Sequence, residues 1–266
     1  MKGITYRKHV MLLLAACCIV LPGMAEDEAG TDVIAIHSHN DYSQKTPFYG
    51  AYNAHVASIE ADVFLADGEI YVSHNRKDIK AERTLKAMYL NPIREKFNQN
   101  GGKVYPDGAP LTLLVDLKDN ASTLDAILKL IVQEYMPCFD YPYNSGAVRL
   151  VITGDKVPPS AFDKYPAFVY FDGIVGQTYT EEQKARIGMV SQSLGTYSSW
   201  KATSPLNESD SLKLSTLVSD AHQEGLKIRI WGYPDNERAW QTAINLGLDF
   251  INTDKPARVR SWLRGK

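Results

Sequence analysis

This chain of 266 residues has only three cysteines, and two of them, Cys17 and Cys18, fall in an apolar stretch near its start. If that stretch is removed, Cys138 stands alone and no intramolecular disulfide can form. A lone cysteine of this kind is expected to be a small buried apolar residue. Stability must then come from a large core, which this length permits. An excess of basic charge is also missing. A formal net charge of −2 lacks the footprint of a nucleic-acid binder. No glycine-rich phosphate loop follows the first strand pattern, so a doubly wound open sheet lacks support. No internal repeat, low-complexity tract or linker marks a second domain.

The N-terminal apolar run, residues 10–21, is too short to span a bilayer comfortably. Lys2, Arg7 and Lys8 precede it, Gly23-Met24-Ala25 offers small residues at cleavage positions, and acidic Glu26-Asp27-Glu28 follows. This pattern predicts a secretory signal peptide over residues 1–25 and a mature domain over 26–266, exported to the periplasm or the cell exterior. Leu14-Ala15-Ala16-Cys17 also matches a lipoprotein box, although Cys18-Ile19-Val20-Leu21 continues the apolar run where a polar tether is expected. Lipidation at Cys17 is the one expected route to a membrane. The mature chain is expected to be a monomer or weak dimer.

After residue 31, strand and helix patterns alternate. Strands are predicted over 32–39, 58–65, 111–118, 148–154, 167–172, 188–194, 226–233 and 248–253. A short extra strand over 69–73 follows the turn Asp67-Gly68. Helical patterns cover 81–98, 124–135, 160–165, 180–187, 211–224, 237–246 and 256–263. Ser209 or Ser211, Asn236 and Asp254 are the expected helix caps. Eight near-continuous apolar strands separated by helices indicate an α/β fold with a parallel sheet, and the length suits a closed TIM-type (β/α)8 barrel in a single domain.

The second strand, Ser58-Ile59-Glu60-Ala61-Asp62-Val63-Phe64-Leu65, carries two acids two residues apart, so both side chains project from one face. Acids on an apolar strand resist burial unless a cation relieves them. Asp116 and Lys118 share one face of the third strand by the same spacing. Glu60, Asp62 and Asp116 therefore form a three-carboxylate cluster on adjacent strands, with oxygen donors that favour one hard divalent cation, Mg²⁺ or Ca²⁺. Pairing of these acids with Lys118 or an arginine is the structural alternative. His39 ends the first strand and His74 follows the 67–75 excursion, so the two flank the acids as acid–base candidates. His37 is expected on the opposite face from His39, in a structural role. His55 and His222 lie in helical patterns as surface or packing residues. Trp231, at the end of the seventh strand, is either a pocket wall or barrel packing. His37-Ser38-His39 also resembles the zinc pair of amidohydrolase barrels, but such sites need further histidines from the middle strands.

In order along the chain come His39-Asn40-Asp41, Glu60-Ala61-Asp62, Asp67-Gly68, His74-Asn75, Asp116-Leu117-Lys118, Trp231 and Thr253-Asp254-Lys255-Pro256. As a set they resemble the glycerophosphodiester phosphodiesterases, within the phospholipase-C-like phosphodiesterase barrels. Asn40 stands where that family has arginine, and Asp116 where it has glutamate. The Asp116 form is similar to the third metal ligand of the sphingomyelinase D-like lyases. The His-Ser-His-Asn-Asp-Tyr stretch marks a divergent branch. The resemblance implies a metal-dependent phosphodiesterase acting on a small phosphodiester, such as a glycerophosphodiester, or on a (lyso)phospholipid headgroup. Glu60, Asp62 and Asp116 would hold the metal, His39 and His74 would transfer protons, and Asn40, Lys118 and Trp231 would contact substrate. A phosphomonoesterase, or a barrel that binds phosphate esters or glycans without turnover, is the alternative.

Overall fold

The computed structural model describes residues 34–266. The signal peptide expected over 1–25 and the lipidation expected at Cys17 lie outside the described residues. The strands are β1 (Ala35–Ser38), β2 (Ser58–Ala66), β3 (Glu69–Val72), β4 (Leu111–Leu117), β5 (Val148–Gly154), β6 (Val169–Gly173), β7 (Ile187–Ser193), β8 (Ile228–Trp231) and β9 (Phe250–Thr253). Their order is β8-β7-β6-β5-β4-β2-β1-β9, with β3 attached to β2. All neighbours on the main path run parallel, and β3 alone is antiparallel. With helices filling the crossovers, this is a nearly closed TIM-type barrel.

The helices follow the expected pattern with shifted ends. The 81–98 pattern becomes a helix only from Lys86, and the 160–165 pattern is a 3-10 helix at Pro159–Lys164. The 180–187 pattern shrinks to Glu181–Lys184, because Ile187 already belongs to β7. The long helix Glu208–Gln223 is capped by Asn207, whose side chain accepts from the Asp210 amide, and not by Ser209 or Ser211. Asn236 caps Glu237–Asn245 as expected, whereas Lys255 occupies the cap before Pro256–Arg264 in place of Asp254. The short helix Tyr49–Asn53 carries no strong periodicity and escaped the sequence reading. Asp67 and Gly68 both adopt positive φ, as a tight two-residue hairpin requires.

Alternation along the strands divides the core in two. Ile36, Ile59, Ala61, Leu113, Val115, Leu150, Ile152, Phe171, Val190, Ile228 and Ile251 face outward into one large cluster with the helices. Leu114, Val151, Met189 and Phe250 form a separate buried cluster, with Ala35, Ala57 and Tyr170 packed against it. Pairing register and strand period place this second cluster inside the barrel. Two residues further along each of these strands, the inward positions turn polar: His37, Asp116, Thr153, Asp172, Ser191 and Asn252. The barrel floor is thus apolar and its carboxyl-end mouth polar. Cys138 lies in the outer core, and burial pushes its thiol up to about 11, in keeping with the packing role expected of it.

Strands β8 and β9 lie side by side at the two ends of the sheet order. Asp249, just before β9, stitches this seam: its Oδ2 accepts from the Ile228 amide at 2.7 Å and from His222 Nε2 at 2.9 Å. Asp249→Ala leaves the Ile228 amide without that acceptor and is expected to cost about 1–3 kcal/mol. Urea unfolding of the variant beside the parent checks this; an unchanged midpoint would show that the seam is held by other contacts.

Candidate active site

The polar mouth opens into a cavity of about 510 Å³ whose walls include His39, Asn40, Glu60, Asp62, His74, Asp116, Lys118 and Trp231. The fold therefore brings together every site residue proposed from sequence. Register explains the acids: Asp62 pairs directly with Asp116 across β2 and β4, and Glu60 lies one inward step below Asp62. One oxygen of each carboxylate lies within 4.8 Å of the others.

Each acid is differently supported. Glu60 is buried, and its Oε2 accepts from Arg229 Nη1 and lies 3.0 Å from His37 Nε2. Burial opposes its charge, but Arg229 and His37 outweigh that and hold the carboxyl far below the ordinary range. Asp62 is buried too. Its Oδ2 accepts from Tyr42 at 2.8 Å, from His74 Nδ1 at 2.9 Å and from Lys118 Nζ at 2.9 Å. Its Oδ1 has no hydrogen-bond partner among the described residues. Asp116 Oδ2 meets Lys118 Nζ at 2.6 Å. Burial, joined by the charges of Asp62 and Glu60, raises its pKa despite that lysine. Three hard oxygen donors against two protein cations, with a buried Asp62 oxygen left unpaired, fit a divalent cation.

The histidines are held in defined orientations. His39 Nδ1 donates to Asp254 Oδ1 at 2.8 Å, which turns Nε2 toward Glu60 Oε1, 4.0 Å away. Burial disfavours its charged form, yet Asp254 and Glu60 prevail and raise its pKa. Asp254 is placed by Asp235, which accepts from the Asp254 amide, the Thr253 hydroxyl and Trp240 Nε1. His74 is anchored through Nδ1 on Asp62 while its side chain stays 64 % exposed.

Several expectations need correction. His37 is not turned away from His39: a two-residue step keeps both on the inward side, and both reach Glu60. His37 Nδ1 contacts the Ser58 hydroxyl at 2.9 Å, and burial together with Arg229 lowers its pKa to about 4, so the ring is neutral. Lys118, expected to contact substrate, lines the cavity and also bridges Asp62 and Asp116, the pairing named above as the alternative. Burial opposes its charge, and the two acids overcome that and raise its pKa. Asn40 adopts a left-handed conformation that asparagine tolerates, with its Oδ1 2.6 Å from the Tyr42 hydroxyl and its Nδ2 beside His39. Trp231 is 45 % exposed on the cavity rim, which favours a pocket wall over barrel packing. His55 lies in a turn after Tyr49–Asn53 and not within a helix; like His222, it pairs at the surface with an aspartate.

Residues that the sequence reading passed over complete the site. Tyr42 places its hydroxyl between Asp62 and His74, 3.2 Å from His74 Nδ1. Arg229 crosses from β8 to Glu60, with its Nε donating to Ser191 Oγ at 3.1 Å. Asp172 lines the far wall. The signal for Arg229 and Asp172 was available, since each interrupts an apolar strand in the manner of Glu60. Gly154, in left-handed conformation, sits against Asp116, where an added methyl would overlap Asp116 Oδ1 and the Leu117 carbonyl.

Comparison with known proteins agrees with this architecture. The family described as an AIM6-like phosphodiesterase domain matches residues 27–158. That span holds all the candidate residues named from sequence except Trp231. "Altered inheritance of mitochondria protein 6" of Eremothecium gossypii is 28% identical over 82% of this chain and 67% of its own length. The protein of that name in Lachancea thermotolerans is 29% identical over 82% of this chain and 63% of its own length, so the chain spans about two thirds of these relatives. Among solved structures, a glycerophosphodiester phosphodiesterase from Parabacteroides distasonis superposes with a TM-score of 0.54 at 14% identity, covering 87% of this chain and 97% of that one. A calcium-dependent phosphoinositol-specific phospholipase C from a Gram-negative Pseudomonas gives 0.51 at 14%, covering 84% and 89%. Fold and site define a (β/α)8 barrel with an acidic, cation-type mouth. Over residues 27–158 the chain is similar to the AIM6-like phosphodiesterase domain family, and its fold is that of the glycerophosphodiester phosphodiesterase and phospholipase C barrels.

Gly154→Ala tests how Asp116 is seated. The overlap is expected to cost about 1–3 kcal/mol of stability. Displacement of Asp116 is expected to weaken divalent-cation affinity about 10- to 100-fold, the usual effect of disturbing a ligand's support. Denaturant titration and calorimetric cation titration read the two effects; unchanged cation affinity would remove Asp116 from the set.

Proposed function

We propose that the protein is an exported, metal-dependent phosphodiesterase that cleaves a small phosphodiester or lipid headgroup in the barrel mouth. The observation that carries this reading is the placement of His39 and His74, each oriented by a carboxylate, on either side of the three clustered acids in one cavity. Glu60, Asp62 and Asp116 would hold Mg²⁺ or Ca²⁺, which when bound supplies positive charge to a phosphate oxygen in the transition state.

The chain's own groups then act as follows. With Nδ1 committed to Asp254, His39 keeps Nε2 for proton transfer, and Asp254 stabilises the imidazolium formed. His74, with Nδ1 committed to Asp62, keeps Nε2 on the exposed side of the cavity. One of the two removes a proton from the attacking water or internal hydroxyl, and the other protonates the leaving alkoxide. Tyr42 positions both Asp62 and His74. Arg229 and His37 fix Glu60 through Oε2, leaving Oε1 toward the cavity. Lys118 balances Asp62 and Asp116, and Trp231 offers an apolar edge to the alcohol part of the substrate.

A second reading has one observation behind it. The Lys118 ammonium bridges Asp62 and Asp116 and could neutralise them permanently, as in a barrel that binds phosphate esters without turnover. Hydrolysis of a panel of glycerophosphodiesters, lysophospholipids and a chromogenic diester, with and without chelator, separates the two. Chelator-sensitive turnover supports the diesterase; binding without turnover supports the alternative.

His39→Ala and His74→Ala are each expected to lower turnover about 10²- to 10⁴-fold while leaving cation affinity largely intact. Glu60→Gln should instead weaken cation binding. It also leaves Arg229 less well paired in the interior and should lower stability. Rates paired with calorimetric titration decide: joint loss of cation and activity in His74→Ala would make His74 a ligand, and full activity in both histidine variants would end the diesterase reading.

A further inference from the structure

Beside the reaction cavity lies a smaller pocket of about 210 Å³, formed by the segments that follow β5 and β6. Gly154, Lys156, Asp172 and Ile174 line both hollows, so the two adjoin. Pro158, Phe162 and Tyr179 add apolar wall to the smaller one. Glu60, Asp62, Asp116, His39 and His74 line the cavity but not this pocket. A group seated here is therefore set apart from the reacting atoms while staying connected to them.

Charge decides what the pocket suits. Besides the histidines, Lys118, Lys156 and Arg229 are the cationic side chains that line the cavity. Lys118 is committed to Asp62 and Asp116, and Arg229 to Glu60. Lys156 is committed to nothing: its one hydrogen bond among the described residues is made by its backbone amide, to the Gly154 carbonyl at 2.7 Å. Its segment is stiff, because Pro158 and Pro159 follow Val157. Asp172 is the one acid on the pocket wall. It is 3% exposed and its Oδ2 accepts from the Thr153 hydroxyl, so it tempers the charge of Lys156 but presents almost no surface to a ligand. Gln177 supplies a second donor. The Tyr179 hydroxyl accepts from the Ile174 amide at 2.9 Å and donates to Gln177 Oε1 at 3.0 Å. With Oε1 engaged, Gln177 keeps its Nε2 hydrogens for a ligand. An uncommitted ammonium and an amide N–H lining one pocket, with no exposed acid beside them, select an oxyanion.

We propose that the side pocket is an oxyanion site in which Lys156 Nζ and Gln177 Nε2 hold a phosphate group other than the one that reacts. That group is either a phosphomonoester at the far end of the substrate or free inorganic phosphate, and only the first source rests on the phosphodiesterase reading. Calorimetric titration of the full-length protein with inorganic phosphate tests the site itself, in chelator so that no divalent cation recruits the anion. Lys156→Gln should weaken phosphate affinity about 10- to 100-fold, the worth of a hydrogen bond to a charged group, and Gln177→Ala about 3- to 10-fold. Lys156→Arg, which keeps the charge, should retain most of the affinity. No binding by the parent, or the same affinity in Lys156→Gln, would overturn the proposal. The source is tested with the p-nitrophenyl phosphodiesters of propanol and of propane-1,3-diol monophosphate, in Mg²⁺ or Ca²⁺. They share a leaving group and differ only in the terminal phosphate. A preference of about 10- to 100-fold in kcat/KM for the phosphorylated ester, lost in Lys156→Gln, assigns the pocket to the substrate. Equal rates on the two esters, with phosphate binding lost only in the variants, assign it to free phosphate. If neither ester is cleaved, the diesterase reading fails, and the phosphate titration still decides by itself whether the pocket binds an oxyanion.

Discussion

The buried contact of Arg229 with Glu60 is the constraint on which the site depends. Two ions inside a barrel are costly to desolvate, and they persist only where geometry and further hydrogen bonds compensate. Here Glu60 is gripped by Arg229 and His37, while Arg229 also holds Ser191. The same contact ties β8 to β1 and β2 across the mouth, past the seam where β8 and β9 meet at the ends of the sheet order. One interaction thus helps to close the barrel and fixes the orientation of a metal-ligand candidate. Removing either partner alone would strand the other charge in the interior.

Around that contact the barrel interior is layered. The floor is apolar, built on Leu114, Val151, Met189 and Phe250. One inward step toward the carboxyl end, these strands bear Asp116, Thr153, Ser191 and Asn252. Such a division lets a stable core and a polar cavity share the same strands. Outward residues pack against helices whatever the inward ones do, so the mouth can carry unpaired polar atoms on Asp62 and Asp172 while the fold is held from outside.

The two histidines are not equivalent. His39 is half-buried and held by Asp254, itself set by Asp235, whose partners include the indole of a fully buried Trp240. His74 is mostly exposed and hangs on Asp62 beside Tyr42. Proton transfer needs a fixed ring on one side and access to solvent or product on the other. In the proposed mechanism the rigid position of His39 and the open position of His74 would provide one of each.

The amino-acid sequence by itself determined the alternation of strands and helices, and with it the barrel. Period-two burial and near-continuous apolar strands are local properties of the chain. It also marked Glu60, Asp62 and Asp116, because an acid two residues from another on an apolar strand is anomalous without any partner in view. Arg229 and Asp172 broke the same pattern and were legible in principle, but each stands alone in its strand and acquires meaning only from a neighbour. Which groups meet was decided by tertiary structure. The pairing of Glu60 with Arg229, 169 residues apart, and of His39 with Asp254, 215 apart, depends on barrel closure. So does the capture of Lys118 by both aspartates, which requires the β2–β4 register that places Asp62 opposite Asp116. Spacing along a strand tells which face a side chain takes; only the closed sheet tells what stands across from it.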